Sequence, residues 1–484
     1  MAVLVIHKDL FARIFAAKGG SMVGIGNDAN GLRGLVATRA AGVGDVLLEV
    51  PLSLCASDFG AKETIAVEPP SYARTLPWNV QLACSLVSKV DGLESVLDSF
   101  PNDAPLLPIF SCGESELPHA CDDGFADEVK VKREWCDEMY ASVLSLTDAP
   151  VEADAFQTAL SLVLSRSLRI RAPAPLGMRR LLVPALDLAN HAERASAIYT
   201  YAPSHGGVVR LHAARRLEVG DAVTLSYGND LGSAHYTTYY GFVPSSNAAD
   251  SVSLRLVDLM RYAPSPLELL QPGGSDASSR SEDGGGGGSD ESPLEGSLWW
   301  TAERICATGA DADALYDLYA AAPSSALLGT MRCLLTSKPI GTASADGYGF
   351  GGLIGGFGDG DNAAAAAVLR ALACAAEAEA RRMEERVTSW VDAEAAAAAS
   401  SSGQGMALLV ELRQSRLALL RGLAPSMRQI ASRFEAGAPG IAAGARVMLE
   451  AAVMEAEPPP FPVSPRSLEG WSARDWDWNT HKYV

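Results

Sequence analysis

The spacing of apolar residues predicts strands at two places in the first half of the chain. Residues 34–51 alternate apolar and polar side chains around Gly44, which predicts a strand, a turn and a second strand. A similar unit returns at residues 208–228, where an alternating strand is predicted at 223–227. Ala37, Gly44 and Asp45 of the first unit recur with the same spacing as Ala213, Gly220 and Asp221. Two such hairpins indicate a small sheet-rich domain that is split in sequence.

Between these units the apolar residues recur at three- and four-residue steps, which is the period of an amphipathic helix. The pattern predicts three helices, at residues 78–97, 127–146 and 153–168. We interpret them as a helical insertion in the sheet domain, at about residues 78–168.

A change of composition separates this domain from the rest of the chain. Residues 271–297 are rich in Gly, Ser, Asp and Glu and cannot bury enough apolar surface to become ordered, which predicts a flexible acidic linker. The predicted order is a first domain at 1–263, the linker at 264–297, a second domain at 298–456 and a tail at 457–484.

The second domain has an alanine-rich, helical pattern. Helices are predicted at residues 327–335, from 363 to at least 391, and at 406–423, where Pro425 should break the helix. The predicted fold class is therefore mixed: a β-rich domain with a helical insertion, followed by an all-α C-terminal domain.

Charge and cysteine content argue against several classes of function. The 484 residues are too many for one core, and 39 basic against 58 acidic residues give a net charge of -19. That charge argues against nucleic acid as a partner, because binding to a phosphate backbone needs a basic surface. The eight cysteines include no Cys-x-x-Cys pair and no Cys/His cluster at zinc spacing. We therefore expect reduced thiols and no metal site.

The first twenty residues contain an apolar run that charged residues interrupt. This run fails the tests for a secretory signal and for a membrane span, so no membrane partner is predicted. We expect a monomer in a reducing compartment, cytoplasmic or nuclear. A chloroplast location is the alternative, for which the sequence offers no clear transit peptide.

Three short motifs carry the candidate chemistry. They are Val-Pro-Ala-Leu-Asp-Leu-Ala-Asn-His at 183–191, Leu-Ser-Tyr-Gly at 225–228 and Tyr-Tyr-Gly-Phe-Val at 239–243. Each is weak alone, because an Asn-His pair is typical of turns and a Ser-Tyr-Gly strand end is usually packing. In this order and spacing they resemble the SET-domain family. No Cys-x-Cys cluster follows Tyr227, so the resemblance is to the Rubisco large-subunit methyltransferase branch, which has a helical substrate-binding domain.

This resemblance implies a fold and an activity. In the family, the Asn-His and Tyr-Gly-Phe segments thread into a pseudoknot that forms the cofactor pocket, so we expect a pseudoknotted SET domain. The implied function is S-adenosylmethionine-dependent methylation of a side-chain nitrogen of a protein substrate, with lysine as the first target. A protein-histidine methyltransferase and a non-catalytic SET scaffold that binds proteins are the alternatives.

The resemblance also assigns roles to residues. Tyr227 is the expected catalytic tyrosine, whose hydroxyl would orient the target amine, and Asp187 is expected to fix its segment rather than to react. The expected cofactor-binding residues are Gly31, Arg33, Gly34, Arg166, Asn190, His191, Tyr240 and Phe242. The expected substrate-binding residues are Ser165, again Tyr240, and one of Tyr199 and Tyr201, whose spacing does not show which of the two faces inward.

Overall fold

The computed structural model describes most of the chain between residues 21 and 435. The described residues are 21–28, 31–57, 70–88, 106–148, 150–172, 177–202, 207–228, 231–264, 300–307, 312–313, 315–319, 331, 334, 362–398, 403–435, 476–477 and 482–483. The chain divides into two compact units. The first contains residues 1–114, 127–246 and 458–484, and the second contains residues 115–126 and 247–457.

The first unit contains small antiparallel sheets. Their strand orders are β1-β2-β9, β3-β8-β7 and β4-β6-β5. The strands are β1 (Val23–Asn27), β2 (Arg33–Ala37), β3 (Val46–Pro51), β4 (Ala56–Ser57), β5 (Leu168–Ala172), β6 (Gly177–Leu182), β7 (Ala197–Ala202), β8 (Val208–Ala213) and β9 (Ala222–Val223). Two further short strands, β12 (Trp476–Asp477) and β13 (Lys482–Tyr483), pair with each other.

The predicted hairpins are wrong in their pairing, although their strands exist. β2 does not pair with β3; instead β2 pairs with β9, and β3 pairs with β8. The two repeated turns hydrogen-bond reciprocally: Gly44 N–H donates to Ala213 O at 2.8 Å, and Gly220 N–H donates to Ala37 O at 2.8 Å. Each repeat therefore provides hydrogen-bond partners for backbone groups of the other. The sequence pattern within one repeat cannot predict this pairing between the repeats.

Both turn glycines have a left-handed backbone, with φ of +87° at Gly44 and +91° at Gly220. Only glycine adopts this conformation without steric cost, which explains why it recurs at both places. The strand predicted at 223–227 is shorter than expected, since β9 ends at Val223 and Leu225 makes an isolated bridge to His191.

The helical insertion is present among the described residues. Its helices are α1 (Trp78–Val87), α2 (Pro108–Ser111), α3 (Asp123–Leu146) and α4 (Ala153–Arg166), and α5 (Ser233–Tyr240) follows the last sheet strand of the unit. The helix predicted at 127–146 is confirmed. The helix predicted at 153–168 ends two residues earlier than expected, because Leu168 begins β5. The end of the 78–97 prediction lies outside the described residues.

The helical part of the second unit is built around two long helices. Its helices are α6 (Leu256–Met260), α7 (Ala302–Ala307), α8 (Asn362–Ala398) and α9 (Gly403–Glu435). Alanine, leucine and methionine side chains of α8 and α9 form one buried cluster. Of the helix predicted at 327–335, only residues 331 and 334 are described, and both are helical.

Three expectations for this part of the chain need correction. The second unit includes residues 247–263, which were predicted to belong to the first domain. It is not all-α, because β10 (Ser251–Arg255) pairs with β11 (Leu315–Tyr319), whose Leu318 is buried. Pro425 does not break α9.

The position of Pro425 on its helix explains why the helix continues. Because proline has no N–H, the carbonyl of Arg421, four residues earlier, lacks its helical hydrogen-bond donor. Both Pro425 and Arg421 are exposed. Water can satisfy that carbonyl on the exposed face, while the buried side chains of Ala424 and Met427 keep the opposite face packed.

No helix within the described residues is long and apolar enough to span a membrane.

A buried ion pair anchors α9 within the second unit. Arg416 pairs with Asp122, and their side chains are 3% and 1% exposed. The second carboxylate oxygen of Asp122 accepts a 2.8 Å hydrogen bond from Phe125 N–H, in the first turn of α3. Burial lowers the pKa of Arg416 to about 9, yet the guanidinium remains charged at neutral pH.

We predict that Arg416→Met lowers the free energy of unfolding by about 3–5 kcal/mol, because it leaves the Asp122 carboxylate buried without a counterion. The double variant Asp122→Asn/Arg416→Met should recover much of that loss, since no charge remains buried. Chemical denaturation followed by circular dichroism measures both. As the control, Arg421→Met removes an exposed pair with Glu384 and should cost at most about 1 kcal/mol. Equal losses in the two single variants would contradict the prediction.

Candidate active site

A cleft of about 530 Å³ lies in the first unit. This volume is typical of sites that bind small molecules. Its walls come from the turn between β1 and β2, from α4, and from residues 187–193 and 240–246. Eight of the predicted site residues line it together: Arg33, Ser165, Arg166, Asn190, His191, Tyr227, Tyr240 and Phe242.

Backbone hydrogen bonds hold two of the motifs side by side. Leu225 N–H donates to Asn190 O at 2.9 Å, and Ala192 N–H donates to Leu225 O at 3.0 Å. Residues 191 and 225 therefore form a parallel bridge although they are distant in sequence. This bridge places the Asn-His pair next to Tyr227.

Side-chain contacts complete this arrangement. The Tyr227 N–H donates to Nδ1 of His191 at 3.2 Å, and the Tyr227 hydroxyl donates to Ala189 O at 2.9 Å. Because Nδ1 of His191 accepts a hydrogen bond, the ring proton of the neutral imidazole belongs on Nε2. The sequence-predicted residues Asn190, His191 and Tyr227 thus meet in the cleft.

The two glycines of the predicted cofactor loop have different roles. Gly31 has φ of +82° in a tight turn, and a Cβ added there would meet nothing within 4 Å. At Gly34 a Cβ would lie 2.5 Å from Nδ2 of Asn190. Gly31 is needed for backbone conformation, and Gly34 is needed for space. Neither glycine lines the cleft itself, whereas their neighbours Leu32 and Arg33 do.

Arg166, at the end of α4, is held by a buried carboxylate. Its Nη1 donates to both the backbone O and Oδ2 of Asp187 at 3.2 Å. Burial raises the pKa of Asp187 to about 6, although the Arg166 guanidinium opposes this rise. Asp187 therefore holds the Arg166 guanidinium at the cleft, a contact that the sequence did not predict. Ser165 lines the cleft, but its hydroxyl donates back to Ser161 O in the same helix at 2.7 Å.

Aromatic rings surround the part of the cleft that contains the Tyr227 side chain. The ring centroids of Tyr227 and Tyr240 are 4.9 Å apart, and those of Tyr227 and Phe242 are 6.2 Å apart. Gly241, with φ of +74°, ends α5 in the left-handed conformation and lets Phe242 turn back towards the cleft.

Sequence reasoning missed Tyr236. This residue is fully buried, its ring lies 4.7 Å from that of His191, and its hydroxyl donates to Gly228 O at 2.5 Å. The four-residue spacing between Tyr236 and Tyr240 on α5 was the available signal, because it places both rings on one helix face. Tyr236 does not line the cleft, whereas Asp28, Leu107 and Glu193 do, and their residue types gave no sign of it.

The two tyrosines and the histidine of the site are neutral at physiological pH, in contrast to the Arg166–Asp187 ion pair beside them. Burial raises the pKa of Tyr240 to about 12 and raises that of Tyr227 further. Burial also lowers the pKa of His191 to about 4, against a smaller opposite effect of Glu193. Both phenols therefore keep their protons, and the imidazole carries no charge.

The structure separates the two strand tyrosines. Tyr199 and Tyr201 are two residues apart on β7 and therefore share a face, but they occupy different positions along the strand. The Tyr199 hydroxyl donates to Arg169 O at 3.1 Å, and Tyr199 contributes to the raised pKa of Tyr240. Tyr201 belongs to the hydrophobic core, with its hydroxyl against Gly207. Neither tyrosine lines the cleft. Only Tyr199 lies next to a tyrosine that does, Tyr240.

No group of three or more His, Cys, Asp or Glu side chains able to hold a metal ion occurs in the part of the chain that the structure describes.

We predict that Gly34→Ala lowers the free energy of unfolding by about 1–3 kcal/mol, because the new methyl group must displace the Asn190 amide. That displacement breaks the 3.0 Å hydrogen bond from Asn190 Nδ2 to Arg33 O. In an Asn190→Ala background the same substitution should cost clearly less. Thermal and chemical denaturation of the four proteins give the coupling between the two sites. Additive effects would show that the close approach does not exist.

We predict that the His191 imidazole stays neutral from pH 8 down to about pH 5, because burial lowers its pKa to about 4. Nuclear magnetic resonance of the histidine ring protons measures this, and His191→Gln identifies the resonance. An unfolded histidine binds a proton near pH 6.5, so the stability contributed by neutral His191 is complete above that pH and decreases as the pH falls towards 4. A titration midpoint near 6.5 would contradict the lowered pKa of His191.

Comparison with known proteins supports the fold assignment. No family model matches the chain. Among curated proteins, SET domain-containing protein 8 of Schizosaccharomyces pombe (strain 972 / ATCC 24843) is 27% identical over 127 residues. The match covers 25% of this chain and 26% of that protein, so it spans about a quarter of the relative's length.

Solved structures match over much more of the chain. The SET domain of LSMT bound to methyllysine and AdoHcy matches with a TM-score of 0.54 and 15% identity, covering 90% of this chain and 93% of that one. Rubisco LSMT bound to AdoMet matches with a TM-score of 0.52 and 14% identity, covering 89% and 93%. Rubisco LSMT bound to sinefungin and monomethyllysine gives a TM-score of 0.52 at 14% identity, covering 90% and 93%. The chain therefore has the SET-domain fold in the form seen in Rubisco LSMT, which confirms the resemblance found in its sequence motifs.

Proposed function

We propose that this protein is an S-adenosylmethionine-dependent methyltransferase that modifies a side-chain nitrogen of a protein substrate, with lysine as the target. The observation that carries the proposal is the convergence of Arg166, Asn190, His191, Tyr227 and Tyr240 on one cleft. The matching solved structures are described as bound to AdoMet or AdoHcy and to lysine or methyllysine, which supports the same choice of cofactor and target.

The residues of the cleft fit this cofactor. S-adenosylmethionine carries a carboxylate, an ammonium group and a flat adenine ring. Arg33 and Arg166 offer guanidinium groups suited to a carboxylate, Asp28 and Glu193 offer acceptors for hydroxyl or ammonium groups, and Phe242 offers an apolar ring. Because Gly34 has no side chain, the Asn190 amide can reach the Arg33 carbonyl and donate a hydrogen bond to it. This hydrogen bond closes the wall of the cleft between Arg33 and Asn190.

When bound, the cofactor supplies an electrophilic methyl group on its sulfonium. The protein must then present a neutral amine, and deprotonating lysine at pH 7 costs roughly 4–5 kcal/mol, given a pKa near 10.4 and about 1.4 kcal/mol per unit. Tyr227, Tyr240 and Phe242 surround the target end with half-buried aromatic rings. Removal of water by these rings lowers the pKa of an inserted amine, because it disfavours the charged form.

The Tyr227 hydroxyl can orient that amine. It donates its own proton to Ala189 O, and its raised pKa keeps it protonated. A phenol oxygen whose proton is already donated still accepts hydrogen bonds, so it can accept one from an amine N–H and direct the nitrogen lone pair away. His191 is a positioning residue for Tyr227, because its Nδ1 accepts a hydrogen bond from the Tyr227 backbone N–H.

Three finer points belong to the same proposal. The bridge between residues 191 and 225 supports threading of these segments as a pseudoknot. The helical second unit would serve as the substrate-binding domain. Histidine is the alternative target, and a SET scaffold that binds proteins without catalysis is the alternative class of function.

We predict that Tyr227→Phe lowers methyl transfer by about a hundredfold or more, because the substitution removes the group that orients the amine. Affinity for S-adenosylmethionine should change little, since the ring remains. Transfer of labelled methyl groups to proteins of a cell extract measures the rate, and mass spectrometry of the products distinguishes lysine from histidine.

Tyr140→Phe is the matched control for this experiment. It removes a hydroxyl that also donates to a backbone carbonyl, Val151 O at 2.7 Å, but that does not line the cleft, so activity should be unchanged. Near-full activity of Tyr227→Phe would remove Tyr227 from the mechanism. Calorimetry that finds no S-adenosylmethionine binding to the unsubstituted protein at high micromolar cofactor would favour the non-catalytic scaffold.

A further inference from the structure

Tyr236 lies directly behind the wall of the cleft. It belongs to α5, is 1% exposed and does not itself line the cleft. Its ring centroid lies 4.7 Å from that of His191, 5.4 Å from that of Phe242 and 5.8 Å from that of Tyr240. All three neighbours line the cleft. Tyr236 therefore supports the wall from inside the protein and offers no surface to a ligand.

The Tyr236 hydroxyl reaches the segment that carries Tyr227. It donates a 2.5 Å hydrogen bond to the carbonyl oxygen of Gly228, the residue that follows Tyr227. Because glycine has no side chain, side-chain packing cannot restrict the backbone at this position. A part-buried carbonyl needs a hydrogen-bond partner, and Tyr236 provides one. The hydroxyl thus fixes the chain immediately after Tyr227.

The same segment is also held at the Tyr227 N–H. Nδ1 of His191 accepts a 3.2 Å hydrogen bond from this group, and the Tyr236 ring packs against the His191 imidazole. Tyr236 therefore acts on both attachments of Tyr227. It acts directly at Gly228 through its hydroxyl, and indirectly at the N–H through its ring.

The helix α5 gives Tyr236 a fixed position. Tyr236 and Tyr240 are four residues apart and so lie on one face of this helix. At the end of α5 the Tyr236 carbonyl accepts a 3.0 Å hydrogen bond from Gly241 N–H. A capped helix and a buried ring leave Tyr236 little freedom to move, which is what a group that positions another side chain requires.

A purely structural role would not need the hydroxyl. Phenylalanine has nearly the same shape and would keep the ring contacts, whereas a buried hydroxyl costs free energy unless it is hydrogen-bonded. The adjacent Thr237 places its buried hydroxyl within α5, where it donates to Ser233 O at 2.8 Å. The Tyr236 hydroxyl instead leaves the helix and bonds to the segment of Tyr227.

We propose that Tyr236 is a positioning residue of the methyl-transfer site, which keeps the Tyr227 hydroxyl where it orients the target amine. This inference rests on the proposed function for the reaction that Tyr227 serves. In-line transfer requires the amine and the methyl group to be aligned, so a small displacement of the orienting hydroxyl slows the reaction. Tyr236 contributes to the rate through Tyr227 and not through contact with substrate or cofactor.

The test compares Tyr236→Phe with the unsubstituted protein. At saturating S-adenosylmethionine, labelled-methyl transfer to proteins of a cell extract should slow about tenfold, which corresponds to one lost hydrogen bond. The apparent KM for S-adenosylmethionine should stay within about twofold, because Tyr236 does not line the cleft. In a Tyr227→Phe background the same substitution should have little further effect, since the group that it positions is already gone.

Thr237→Val is the matched control. It removes a fully buried hydroxyl of the same helix that donates to Ser233 O, so the transfer rate should be unchanged. Near-full activity of Tyr236→Phe would overturn the positioning role. An equal tenfold loss in the Tyr227→Phe background would also overturn it, because Tyr236 would then act on the site independently of Tyr227.

A spectroscopic measurement separates this inference from the proposed function. In nuclear magnetic resonance of isotope-labelled tyrosine rings, Tyr227→Phe identifies the Tyr227 resonance. Tyr236→Phe should shift that resonance, whereas Thr237→Val should leave it in place. An unshifted Tyr227 resonance would overturn the positioning role even where methyl transfer is found. Calorimetry with S-adenosylmethionine on the unsubstituted protein tests the proposed function, so either can fail alone.

Discussion

The site depends on one interaction, the backbone bridge between residues 190–192 and 225. Two hydrogen bonds, at 2.9 and 3.0 Å, join segments that are distant in sequence, and the contact of His191 with the Tyr227 N–H extends them. Buried backbone groups must find partners, so these segments cannot separate without leaving donors and acceptors unsatisfied. The bridge therefore fixes the distance between the Asn-His pair, at the cofactor end of the proposed site, and the tyrosine at its target end.

Burial then determines the chemistry that this bridge makes available. Tyr227, Tyr240 and His191 are neutral because desolvation disfavours their charged forms, and the buried carboxylate of Asp187 is compensated by Arg166. A neutral, aromatic channel suits a reaction that needs an uncharged amine.

Several elements were predictable because they depend on neighbours in sequence. The helical period predicted the end of α3 and the start of α4, but it missed the first turn of α3 and made α4 two residues too long. The repeated glycines marked the turns at Gly44 and Gly220. The failures concern interactions between distant residues. β2 and β3 pair with the second repeat rather than with each other, and Pro425 is tolerated because it lies on the exposed face of a packed helix. Periodicity shows which face of an element is apolar, but not which partner covers it.

The sequence by itself determined the residue types of the site and their order: an Asn-His pair, a Ser-Tyr-Gly segment and a Tyr-Tyr-Gly-Phe segment, which resemble the SET-domain family as a set. Tertiary structure alone decided that Tyr199 rather than Tyr201 lies beside Tyr240, that Tyr236 packs on His191, and that Gly34 makes room for Asn190. The physical reason is that side-chain identity is a local property of the chain. Burial, pKa and close approach are set by atoms that the fold brings from elsewhere.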